Sequence, residues 1–193
     1  MKKMKNWIWI VVIVVIVIWV GGWVVGFYNA TIKLNEKVDN GWAQVETQYQ
    51  RRFDLIPNLV NSVKGSMTQE QEVFSDITEA RTRYAGAGTT SEKAGAATQV
   101  EGALGRLLLV MENYPVLKSI DAVQGLMVQL EGTENRISVE RKRFNDLVRE
   151  YNVNVKQFPR NLLAGLFGFD EKNFFEAVEG ADAAVEVDLK LTD

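Results

Sequence analysis

Hydrophobic positions along this chain follow three rhythms in turn. From Trp7 to Tyr28, "WIWIVVIVVIVIWVGGWVVGFY", no residue is charged. As a helix that run spans ~33 Å, against a hydrocarbon core of roughly 30 Å. Val and Ile dominate it and are mediocre helix formers in water. Inside lipid, however, backbone groups must be satisfied within the segment, so the helix is still expected. The run is too long for the core of a cleavable signal and no Ala-x-Ala-like site follows it, so it reads as an uncleaved signal anchor. Lys2, Lys3 and Lys5 precede it and place the N-terminus in the cytoplasm, with the remainder outside. Trp7 and Trp9 then sit near one interface, Trp23 and Tyr28 near the other, and Trp19 lies within the span. Gly22 and Gly26 form a GxxxG pair that lets two spans pack closely, although glycine is common in spans for other reasons.

After the span, apolar residues recur every third or fourth position: Leu34, Val38, Trp42, Val45, Tyr49, Phe53, Ile56, Val60, Val63 and Met67. That is one long helical stripe. Thr68 and Gln71 have capping-box spacing and open a second helix, to about Gly86, with Val73, Phe74, Ile77, Ala80 and Tyr84 inward. After the turn "GAGTTSEK", a third helix covers about Ser91 to Glu112 until Pro115 interrupts it. A fourth opens near Asp121, carries Leu126, Leu130, Thr133, Ile137, Arg141, Phe144, Val148, Tyr151, Val155 and Phe158, and stops at Pro159. The expected fold is all-α: a transmembrane helix followed by an antiparallel four-helix bundle with two long and two short helices. The long helices run ~57 Å and the short ones ~27 and ~33 Å, so helices one and four continue as a two-helix stalk. Its seam of Leu34, Val38 and Trp42 with Phe144, Tyr151 and Phe158 needs a cover, either "NLLAGLFGF" at 161–169 folding back or a second copy of the chain.

The last ten residues alternate instead. Val185, Val187, Leu189 and Leu191 share one face, Glu186, Asp188 and Lys190 the other, as in a half-buried strand. With no second strand in the pattern, this tail either docks on another copy or a partner or stays in water.

The cluster "RRFDLIPNLVNSVKG" at 51–65 could in principle bind an anion or activate a water. Its one carboxylate, Asp54, is flanked by cations that keep it ionised, which suits structure better than base catalysis. Antiparallel packing puts Arg52 opposite residues 135–140. Ion pairs from Arg52 to Glu134 or Glu140, and from Asp54 to Arg136 or Arg141, are expected to fix the sliding of two smooth seams. Pro57 is expected to bend the helix.

Composition narrows the chemistry. The chain has 193 residues, 47% of them hydrophobic, and contains neither Cys nor His. That removes disulfides, thiol catalysis, His-based general bases and ordinary zinc sites. Glu131 and Glu134, one turn apart, lack the His partners of a di-iron bundle, so no metal or cofactor is expected. The net charge of -3 hides a basic start and an acidic end, with a neutral middle that offers no footprint for nucleic acid.

Three blocks, "VDNGWAQVETQYQRRFDLIPNLVNSVKG", "LEGTENRISVERKRFNDLVREYNVNVKQFP" and "NLLAGLFGF" with "FFEA", resemble the bacterial LemA family in order and over nearly the whole chain after the span. The resemblance implies a membrane-anchored extracytoplasmic helical bundle without established enzymatic activity or cofactor. Gly41 departs from the alanine expected there, a weakening of about 1 kcal/mol. The expected organisation is a span with its short cytoplasmic lead at 1–28, a bundle at 29–169 and an acidic tail at 170–193. The chain is thus expected in the bacterial cytoplasmic (inner) membrane as a single-pass protein. Its expected role is a homo-oligomeric scaffold that organises or shapes the envelope. The alternative is a non-enzymatic adaptor for a membrane protease or transporter.

Overall fold

A computed structural model describes residues 2–67 and 69–175, with side chains for all of these except 2–6 and 118. The described residues form six helices: α1 (Lys2–Lys64), α2 (Gln71–Gly86), α3 (Thr90–Met111), α4 (Pro115–Lys118), α5 (Asp121–Lys156) and α6 (Arg160–Phe167). No strand occurs among them. The alternating tail at 184–193 lies outside the described residues.

Three differences from the periodic pattern have local causes. The apolar run and the first amphipathic stretch are one helix, because "NATIK" between them holds no Gly or Pro to break it. Pro115 occupies the first turn of the short α4, where a missing N–H costs nothing. After Pro159 the chain forms α6, which ends on Gly168 at φ 73.

Helix starts also move. Thr89, rather than any residue of the preceding loop, caps α3: its side chain accepts from the Glu92 N–H while the Glu92 carboxylate accepts from the Thr89 N–H. The carboxylate accepts from Gly88 as well, and these bonds hold it below the usual carboxylate range. The α2 helix instead starts behind Glu70 with no side-chain cap. Gln71 is its first helical residue, and Thr68 lies outside the described residues. Pro57 sits inside α1, which continues through it to Lys64.

The described residues pack as two compact units, 2–50 with 133–174, and 51–132 with 175. In the first unit α1 and α5 run antiparallel, since partners climb one helix as they descend the other: Thr31 with Asn154, Lys37 with Glu150, Trp42 with Phe144, Tyr49 with Arg141. Val38, Val45, Tyr49, Ile137, Phe144, Val148, Tyr151 and Val155 are buried there. In the second unit Arg106 bonds Asp76 at 2.8 Å and Arg83 bonds Gln99 at 3.0 Å, so α2 and α3 are also antiparallel. Its core includes Ile56, Leu59, Val63, Ile77, Leu104, Leu107 and Met111, with the Phe53 and Tyr84 rings edge-on at 4.5 Å. Leu59 is fully buried where the periodic stripe names Val60, which is half-buried.

Candidate functional site

The densest polar arrangement in the first unit lies next to the end of the apolar run. Two asparagines, Asn152 and Asn154, each 7% exposed, stand on different faces of α5 because two residues turn a helix by more than half a circle. Asn154 reaches α1: its Nδ2 donates to Thr31 Oγ1 at 2.8 Å, and the fully buried Thr31 hydroxyl donates to the Phe27 carbonyl at 2.9 Å. Arg160, at the start of α6, donates from Nη1 to Asn154 Oδ1 at 2.8 Å. One carboxamide therefore ties α1, α5 and α6 together.

Asn152 grips the strand of chain that returns after α6. Its Nδ2 donates to the Lys172 carbonyl at 2.8 Å and its Oδ1 accepts from the Lys172 N–H at 2.9 Å. A carboxamide satisfies both backbone groups of one residue, as a neighbouring strand would. The Lys172 ammonium then crosses to Asp39 on α1 at 2.7 Å and lies 5.6 Å from the centre of the Tyr151 ring. Lys156 pairs with Glu171 at 2.6 Å. Burial, with Asp170 and Asp39 nearby, pushes the Tyr151 phenol up.

The return is guided by aromatic rings. Gly168 reverses the backbone and Phe169 N–H bonds the Ala164 carbonyl at 2.9 Å. Phe169 then lies 6.3 Å from Phe27 and 5.6 Å from Tyr28, and Phe167 meets Tyr28 edge-on at 5.3 Å. The fold-back of 161–169 therefore packs on α1, and Lys172 and the buried Phe175 follow it.

The residues expected to pack or pair are distributed as follows. Val38, Phe144 and Tyr151 are buried inside the unit, while Leu34 and Trp42 are half-buried, Trp42 with its ring 5.5 Å from that of Phe144. Phe158 is 77% exposed: α5 ends at Lys156, so the residue leaves the helical stripe before Pro159. Arg52 is buried and its Nη1 lies 3.9 Å from Glu101 on α3, an acid that antiparallel matching to α5 does not single out. Arg141 donates to the Tyr49 hydroxyl and stacks over its ring, and Glu140 pairs with Arg143 at 2.6 Å. Asp54 and Arg136 are exposed and Glu134 half-buried. Trp7, Trp9 and Trp19 are 67%, 61% and 73% exposed within a helix long and apolar enough to cross a membrane. Val185, Val187, Leu189 and Leu191 lie outside the described residues.

Between α2 and α3 an open groove of about 420 Å³ is lined by Asp76, Glu79, Arg83, Gln99 and Arg106 over Ala80, Gly102 and Ala103. Its two arginines are engaged by Asp76, Glu79 and Gln99, so it presents no unbalanced cation to an anion.

The pattern of the LemA family matches residues 41–189, most of the chain. The chain belongs to the LemA family. It is similar to Magnetosome protein MamQ 2 of Paramagnetospirillum magneticum, 26% identical over 184 residues covering 82% of this chain and 68% of that one. It is likewise 27% identical to Magnetosome protein MamQ of Magnetospirillum gryphiswaldense over 184 residues, with the same coverage. Protein LemA of Metamycoplasma hominis is 20% identical over 156 residues, 80% of this chain and 71% of that protein. With its long apolar helix, this LemA-family chain is a membrane-associated protein whose described residues are helical, with no strand. The match begins at Gly41, where a Cβ would stand 2.7 Å from Leu147 Cδ1. A methyl group at position 41 would thus press on the Leu147 side chain of α5.

Proposed function

We propose that this protein is a non-enzymatic, single-pass scaffold of the bacterial cytoplasmic membrane that self-associates to organise or shape the envelope, with residues 1–6 cytoplasmic and the helical units outside. The observation that carries this is the continuity of α1 from the apolar run into packed structure. Trp23 and Val25 face outward, Phe27 is already buried, and the Asn154 contact to Thr31 follows within one turn. A membrane helix without a linker passes its tilt and rotation directly to the folded residues it enters, a property useful to a scaffold. The face proposed for self-association is that of Gly22 and Gly26, where an added Cβ meets open space. The similarity to proteins named for the magnetosome supports a role in membrane organisation.

Mass measurement of the full chain extracted in mild detergent tests this. Several copies without another protein are expected. A monomer would refute self-association, and a monomer recovered with a different membrane protein would favour the adaptor role.

A further inference from the structure

Phe158, Leu162 and Leu166 are 77%, 66% and 76% exposed, although they lie beside a well-packed core. They recur every four residues, and Leu162 and Leu166 share one face of α6. Ala164 is buried on the other side. No residue from 161 to 169 is charged. Such a contiguous apolar stripe marks a surface that meets something other than water.

Its position identifies what it meets. The last residue of α6, Phe167, packs against Tyr28, the aromatic residue at the end of the apolar run of α1, five residues before its next charge, Lys33. A tyrosine at that place belongs to the headgroup level. The outward surface of α1 at Trp23, Val25 and Tyr28 is 36%, 58% and 42% exposed, so the lipid-facing side of the span adjoins α6. The cations of the same region are engaged, Arg160 with Asn154, Lys156 with Glu171 and Lys172 with Asp39, while the exposed Asp170 follows the uncharged stretch. We propose that α6 is an interfacial helix whose exposed Leu162 and Leu166, with Phe158 just ahead of the helix, lie in the headgroup and acyl boundary at the Tyr28 end of the span, in the same bilayer. The proposal rests on Trp7–Tyr28 being a span. It gives the chain a second lipid contact, which removes the freedom of α1 to rotate about its axis.

The chain has no cysteine, so single-cysteine variants of the full protein accept one nitroxide each. Leu162→Cys and Leu166→Cys carry the test, Ile16→Cys is the mid-span control and Lys142→Cys the aqueous one. In phosphatidylcholine and phosphatidylglycerol vesicles, power saturation compares access by oxygen with access by a water-soluble nickel chelate. Positions 162 and 166 should favour oxygen, at shallower depth than 16, while 142 favours nickel. Nickel access at 162 and 166 with oxygen access at 16 overturns the interfacial helix and leaves the span intact. Nickel access at 16 as well overturns the span and the proposal with it. Spin–spin broadening at 162 and 166 without oxygen access, relieved by diluting with unlabelled chain, assigns the stripe to a second copy and also overturns the proposal.

Discussion

Asn152→Ala is the sharpest probe of the clasp that returns the chain to the helix pair. The substitution deletes two hydrogen bonds, at 2.8 and 2.9 Å, both to the backbone of Lys172. Each contributes about 0.5 to 1.5 kcal/mol net, and a stranded buried partner costs more. Lys172 keeps a side chain 26% exposed, so water can reach its freed groups and the lower part of that range applies. A loss of about 1 to 2 kcal/mol is expected, a roughly 5- to 30-fold change in the opening equilibrium. The opening is local, because the Thr31–Asn154 bond and the α1–α5 core do not depend on Asn152. Hydrogen exchange followed by mass spectrometry on the full chain in a membrane mimetic should therefore show faster exchange over 169–173 and unchanged exchange over 31–49. Unchanged exchange at 169–173 would refute the clasp, and equal acceleration in α1 would show that the segment is part of the core rather than a strap on it.

Four further outcomes follow. Gly41→Ala should be nearly neutral alone, as about 1 kcal/mol of helix propensity is offset by moving the Leu147 methyl group; in a Leu147→Ala background it should stabilise by about 1 kcal/mol in denaturant titration, and additive effects would refute the close approach. Arg52→Ala should cost about 3 to 5 kcal/mol by stripping Glu101 of a largely buried partner, while a cost under about 1 kcal/mol would mean that the pair acts as an exposed one. Two pH dependences have opposite sign. Glu92 has a lowered folded value, so its contribution to the α3 cap is present above the ordinary carboxylate value and disappears as pH falls through the folded one; Glu92→Gln should abolish that acid dependence in helicity measured by circular dichroism. Tyr151 has a raised value, so its contribution is complete below the ordinary phenol value and falls as pH rises through the folded one; Tyr151→Phe should remove one tyrosine that ionises above the ordinary phenol range from the ultraviolet titration.

The legible parts of this protein are those with short-range causes. Phe74, Ile77, Ala80 and Tyr84 announce the buried face of α2 because helical neighbours repeat within four residues, and each is buried. The cap of α3 was equally available in "TTSE", Thr89 and Glu92 having the required spacing. Asn152 and Asn154 were not legible. They look like polar breaks beside the Tyr151 and Val155 stripe, and their partners lie 20 and 123 residues away. Glu101 shows a related limit: it reaches Arg52 from α3, whose azimuth around the seam no periodicity specifies. Phe158 illustrates how a helix ending two residues early turns an expected core residue outward.

A polar clasp does something at this seam that an apolar cover cannot. Hydrophobic contact is non-directional, so a tail held only by rings and methyl groups could slide along the groove between α1 and α5 at little cost. Asn152 accepts one register, because its two bonds require the N–H and C=O of the same residue. With Lys172 fixed, only Asp170 and Glu171 separate it from Phe169, and the rings of Phe167 and Phe169 are carried onto Tyr28. Asn154 sets the other end by holding Arg160 against Thr31 on α1. The short α6 is thus fixed at both ends to the helix that enters the bilayer. A rotation of that helix moves α6 with it, so within this unit the apolar helix and α6 turn together, as the proposed scaffold requires.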